Sequence, residues 1–192
     1  MKEADERESP FFFQKPTDAI VQDGATVLYP PDTTDFQFEV ELVAAIRLDG
    51  QDIDVASAND HILGYAVGIE LTRRDRQRKM REKMLPWERG RSFDFSAPCG
   101  PLQRMQTVAH ATSGAISLTV NGSKKQSGDI SNMIWSVPEI VANLSHSYRL
   151  EPGDLIFTGT PAGVGPVQPG DRLQGVVAGV GSVTITIGPK AG

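Results

Sequence analysis

The sequence predicts a mostly β fold, an α+β arrangement with a few short helices. Three observations carry this expectation. The 192 residues include 19 Gly and 13 Pro, a composition suited to many short elements joined by tight turns. Apolar and polar residues alternate with a period of two in several separate runs. Asn-Gly and Pro-Gly-Asp turns stand directly beside those runs.

In chain order, the run "DFQFEVELVAAIR" from Asp35 to Arg47 reads as a half-buried strand. Phe38, Val40 and Leu42 point one way, and Glu39 and Glu41 the other. "ILGYAVGIEL", Ile62 to Leu71, is an apolar run suited to a buried strand that closes on Glu70. The charged segment "TRRDRQRKMREKM" consists of good helix formers and stops before Pro86, which predicts a short helix. "AISLTVNGSKKQSG" turns at Asn121-Gly122 and predicts a β-hairpin. In "SVPEIVANLSHSYRL" the residues Val137, Ile140, Val141 and Leu144 recur at helical spacing behind a Ser136/Glu139 capping box with Pro138 in the first turn. Beyond Glu151 two Pro-Gly-Asp turns each launch a strand, and a last strand alternates Val183, Ile185 and Ile187. No shift in composition divides the chain, so residues 10–188 are expected to form a single domain after a polar tail over residues 1–9.

The bulk numbers exclude several function classes. A net charge of −5 argues against general affinity for nucleic acid or for anionic lipid. The basic cluster from Arg73 to Lys83 is interrupted by Asp75 and Glu82 and has no interleaved aromatic residues, so it reads as a solvated helix face. No apolar run approaches the ~20 residues of a membrane helix, and "MKEADERESP" is no secretory signal. Cys99 stands alone, which rules out an intrachain disulfide and a cysteine metal cage and points to the reducing cytoplasm.

Some residues suggest chemistry. Carboxylates two apart on one strand face lie about 7 Å apart along it and converge well on a hard divalent cation; the other reading is a polar face turned to water. Glu70, at the end of a buried strand, needs solvent or a partner. A helical continuation would set Glu70, Arg74 and Gln77 on one face at i, i+4 and i+7, offering an acid, a donor fork and an amide; the alternative is an ordinary i, i+4 ion pair. The loop "FTGTPAGVGP" lacks the Gly-Lys-Ser/Thr of a phosphate cradle. Its amides and Thr160 suit either a ligand carboxylate or a tight connection between strands. His61, His110 and His146 have no metal-site spacing, and Cys99 shows no sign of activation.

Taken together, "FFFQKP", "FEVELVAAI", "GYAVGIELTRRDRQ", "PWERGRSFDFSAPCGP", "MIWSVPEIVANLS" and "GDLIFTGTPAGVGP" resemble the fumarylacetoacetate hydrolase family, in order and over nearly the whole chain. The likeness is to its small acylpyruvate and fumarylpyruvate hydrolases. It implies a β-roll like the C-terminal domain of that family, a homodimer, and Mg2+ or Mn2+ held on Glu39, Glu41 and Glu70, the last position usually being aspartate. It further implies substrate binding by Lys15, Arg74, Gln77 and Thr160, and a catalytic position at Arg91 that is usually lysine. The water-activating histidine of relatives precedes the "PFFF" segment, and the resemblance leaves it without a counterpart in this chain. The implied reaction is metal-dependent hydrolysis of a carbon-carbon bond in a 2,4-dioxo acid during aromatic catabolism. Oxaloacetate decarboxylation, isomerisation of a 2-oxo-diene diacid, and a silent metal- or ligand-binding relative are the alternatives.

Overall fold

A computed structural model describes residues 7–106 and 108–191. The expected tail over residues 1–9 therefore lies mostly outside the described residues; Arg7, at its end, donates to Glu139 at 2.9 Å and stacks on Trp135. The first strands are β1 (Ile20–Gln22), β2 (Thr26–Tyr29), β3 (Phe36–Ile46) and β4 (Ile62–Arg73). Helices α1 (Arg74–Glu82) and α2 (Glu88–Arg91) follow, then β5 (Ala97–Cys99), β6 (Gln103–Arg104), β7 (Ala115–Val120) and β8 (Ser123–Asp129). The chain ends with α3 (Val137–Ser147), β9 (Leu155–Phe157), β10 (Gly165–Pro166), β11 (Arg172–Val177) and β12 (Gly181–Lys190). Among the described residues no helix is long and apolar enough to cross a membrane.

Two sheets share one apolar cluster. The larger runs β1-β5-β4-β3-β10, with β6 also on β4 and β9 also on β3; the smaller runs β2-β12-β11-β7-β8. Val40, Leu42, Val67, Ile69 and Leu71 of the larger sheet meet Leu118, Leu173, Val183, Ile185 and Ile187 of the smaller in that cluster. The approach is close: a Cβ on Gly175 of β11 would lie 3.0 Å from Val40 and 3.4 Å from Val67. The predicted hairpin is present, with positive φ at both Asn121 and Gly122 as a two-residue turn demands. The predicted capping box also forms, Ser136 N–H donating to Glu139 at 2.7 Å.

Two expectations change. β3 is buried along nearly its whole length on both faces, so the reading of Glu39 and Glu41 as a wetted face fails. β4 continues past Glu70 to Arg73, because Phe36 to Phe38 of β3 still pair with Arg73, Thr72 and Leu71 and hold those residues extended. Glu70 is therefore inside a strand, and the helical i, i+4 pair with Arg74 does not form.

The long β3–β4 ladder is what positions the site. Glu39 lies directly opposite Glu70, and Glu41 opposite Gly68. Gly68 has no room for a side chain, since a Cβ there would sit 2.3 Å from the Phe157 ring and 2.7 Å from Val43. Gly68→Ala should destabilise the fold by about 1–3 kcal/mol through overpacking, read as a lower urea midpoint at unchanged slope. An unchanged midpoint would show that Phe157 and Val43 yield without cost.

Candidate metal centre

Side chains alternate along a strand and match across a register, so the pairing that opposes Glu39 to Glu70 also puts Glu41 on the same face. The three carboxylates each offer an oxygen within 4.8 Å of the others, and all three are buried, Glu70 to 1% exposure. Nothing but oxygen is available in this group, the donor set that suits hard cations such as Mg2+, Mn2+ or Ca2+.

Three cations surround the acids. Arg74, the first residue of α1, donates to Glu39, and also to Gln37 at 2.9 Å and Gln77 at 2.7 Å. Arg91 reaches both sides of the register: its Nη1 lies 3.3 Å from Glu39 and 3.2 Å from Glu70, and donates to Thr72 at 2.8 Å. The Arg91 guanidinium stacks on Phe13 with its centre 4.4 Å from the ring centroid. α2 delivers Arg91 by packing tightly on α1, which Gly90 permits: a Cβ there would be 2.7 Å from the backbone nitrogen of Gln77. Lys15 Nζ stands 2.7 Å from Glu70 Oε1 and donates to Ser96 Oγ at 2.8 Å and to the Arg91 carbonyl. Although that distance is an ion pair, its angles are poor, and the buried Glu70 Oε1 has no well-formed hydrogen bond.

Burial dominates the electrostatics. It pushes the Glu41 carboxyl up to about 8, helped by the neighbouring charge of Glu70 and opposed by the Gly159 N–H donated at 2.5 Å. Burial also raises Glu70 and lowers Lys15, while their mutual attraction and Arg91 act against the rise at Glu70. The fit to a divalent cation is good on these grounds: a buried oxygen lacks a proper donor, and one carboxylate lacks enough positive charge to ionise at neutral pH.

The glycine-rich loop belongs to this centre. β10 pairs with β3 at Gln37 and Phe38 and β9 at Val43 to Ala45, leaving the edge of β3 without a strand neighbour in between. Loop and side-chain groups fill the interval. Thr158 N–H donates to the Leu42 carbonyl at 3.1 Å, Thr160 Oγ1 donates to the Val40 carbonyl at 2.8 Å, and Gln126 accepts from Val40 N–H at 2.9 Å. Gln126 in turn donates to Thr160 Oγ1 and the Pro161 carbonyl, both at 2.8 Å. Thr160 thus lies beside the glutamates with its own proton committed to the backbone. Sequence reasoning missed Gln126, which sits in the polar run "SKKQSGD" with nothing to mark it as buried. The histidines lie elsewhere: His61 contacts the Leu48 carbonyl, His110 the Tyr65 hydroxyl and His146 the Asp52 carboxylate. Burial raises the Cys99 thiol to about 11, consistent with an inert group.

A consequence follows for metal-free protein. Glu41 keeps its proton in the folded state up to about pH 8, whereas the unfolded chain loses it near 4.5. The folded state binds the extra proton between those values, so stability falls as pH rises through that window. Urea unfolding with chelator at pH 5 and 8 should show a smaller fall in Glu41→Gln than in wild type; equal falls would assign the proton to another group.

Residues 1–188 match the family model "Fumarylacetoacetate (FAA) hydrolase C-terminal". The chain is 44% identical to a fumarylpyruvate hydrolase of a Ralstonia species, over 95% of this chain and 94% of that protein. It superposes with a TM-score of 0.94 and 48% identity on fumarylpyruvate hydrolase from Pseudomonas aeruginosa in complex with Mn2+ and pyruvate, covering 96% of this chain and 81% of that one. A mitochondrial oxaloacetate decarboxylase of Dictyostelium discoideum is 36% identical over 89% of this chain and 79% of its own length. With its ordered motifs, its buried acidic triad and these matches, the chain belongs to the fumarylacetoacetate hydrolase family.

Proposed function

We propose that the chain is a divalent-metal-dependent hydrolase that splits a carbon-carbon bond of a 2,4-dioxo acid, with fumarylpyruvate or another acylpyruvate as substrate. The observation that carries this reading is the convergence of three buried carboxylates beside Arg74 and Gln77. Its resemblance to two fumarylpyruvate hydrolases, one of them binding Mn2+ and pyruvate, supports the choice of substrate class and of Mg2+ or Mn2+. Residues 10–188 act in this reading as one catalytic domain in a homodimer, and the lone free cysteine suits a reducing, cytoplasmic setting.

Glu39, Glu41 and Glu70 hold the cation, which supplies a Lewis acid for the 2-oxo acid end of the substrate. Arg74 and Gln77 present a donor fork and an amide at the rim of the triad, suited to orienting a carboxylate. Arg74, Arg91 and Lys15 are paired with the acids; a cation held by the glutamates would share that neutralising role and would leave these side chains free to attract an anionic substrate. Arg91 presents a planar donor fork to Glu39, Glu70 and Thr72, so in this reading it acts through attraction and hydrogen bonding. Thr160 and the Gly159 amide fix the carboxylate of Glu41 and the adjoining strand edge. The hydrolysis consumes one water, which supplies hydroxyl to the acyl carbon and a proton to C3 of the departing pyruvate.

Decarboxylation of oxaloacetate is a second reading favoured by a specific observation. No histidine contacts the triad among the described residues, and decarboxylation needs no base to activate water. Purified protein with Mg2+ or Mn2+ should turn over fumarylpyruvate or acetylpyruvate faster than oxaloacetate. The reverse order selects the decarboxylase, and no turnover of any of the three by folded, metal-saturated protein would mark a silent binder.

The metal ligands have their own test. Mn2+ titrated into Glu39→Gln/Glu41→Gln should bind more than about 100-fold more weakly than to wild type, a larger loss than mutation of outer-shell partners gives. Equal affinities would remove these glutamates from the site.

A further inference from the structure

Helix α1 carries a row of cations of which the metal centre uses only the first. Arg74, Arg78 and Arg81 recur at i, i+4 and i+7, and together with Gln77 and Glu82 they line one open cavity of about 390 Å³. Arg74 joins that cavity to the triad, since it also donates to Glu39. Further along, Arg78 has only Asp35 at 3.6 Å, and its side chain is 63% exposed. The Arg81 guanidinium is exposed and has no hydrogen bond or ion pair among the described residues. Like charges one turn apart on a helix repel, and an anion seated between them turns that repulsion into shared attraction.

We infer that Arg78 and Arg81 form a subsite for the distal carboxylate of a dicarboxylic 2-oxo acid, making the site selective for dianionic over monoanionic substrates. The inference rests on the 2-oxo acid reading above for the assignment of the other end to Arg74 and the triad. The dimensions agree. From Arg74 the helix advances about 6 Å to Arg78 and about 10.5 Å to Arg81, which brackets the roughly 7–8 Å between the carboxyl carbons of an extended seven-carbon diacid. Long, flexible stems let both guanidinium groups turn toward one carboxylate, and Arg78 need give up only a weak, exposed pair to do so. An acyl group that ends in a methyl would leave both arginines to water and gain nothing from them.

Binding reads the subsite without turnover. Mn2+-loaded protein is titrated calorimetrically with 2-oxoheptanedioate and 2-oxoheptanoate, which differ only in the terminal carboxylate. Wild type should bind the diacid about tenfold or more tightly than the monoacid, with the preference weakening as salt is added. In R78Q/R81Q the ratio should fall toward one, and in R78K/R81K it should recover in part because the charge is kept. A wild-type ratio near one, or a ratio unchanged in R78Q/R81Q, overturns the subsite; R81Q alone is the second variant should the double one unfold. Turnover of acylpyruvates by the same preparations separates the two conclusions. Hydrolysis with an unchanged binding ratio removes the subsite alone, whereas a falling ratio without hydrolysis keeps the subsite and removes the hydrolase reading.

Discussion

The register between β3 and β4 is the constraint on which the rest depends. Because Glu39 faces Glu70 and Glu41 is two residues along the same face, three acids meet under a covered sheet. A slip of one residue in either strand would send the set to the apolar side, among Val40, Val67 and Ile69. The register is held by the apolar side itself, whose residues interlock with the second sheet through close approaches such as Gly175 on Val40. Packing on one face thus fixes the chemistry on the other.

Burying three carboxylates is expensive, and the fold answers with cations drawn from separate parts of the chain. Lys15 comes from the segment before the first strand, Arg74 from the start of α1 and Arg91 from the end of α2. Each lies far in sequence from at least one of its acids, so the compensation exists only once the whole domain has closed. Removing one member of such a cluster leaves an unpaired buried charge, which costs about 3–5 kcal/mol. The aromatic stack of Phe13 on Arg91 adds orientation to attraction, keeping the guanidinium edge on the line between Glu39 and Glu70.

Much of the fold was legible because it rests on local signals. The Asn121-Gly122 turn, the capping box of α3 and the alternation of β3 and β12 each follow from rules that act within a few residues. The acids of the site were legible as a strand-face pair and, through the family resemblance, as three ligands. What local reading could not supply was partnership. It joined Glu70 to Arg74 as neighbours on a helix, whereas pairing with Phe36 to Phe38 keeps the strand extended, and Arg74 turns to Glu39 instead. Gln126 and Gly90 were equally hidden, since a glutamine among lysines and a glycine before an arginine look ordinary until the contacts across the fold are known.

The unpaired interval on the edge of β3 has a further meaning. Where a neighbouring strand would run, the protein uses one amide and one hydroxyl, Gln126 and Thr160, to complete the ladder of Val40. Within this window of the strand edge the Gly159 amide donates to Glu41. The window also ties the β7–β8 hairpin, which carries no acid of the centre, to the alignment of that centre. Through Gln126 the hairpin therefore shares in fixing the strand edge from which Glu39 and Glu41 project.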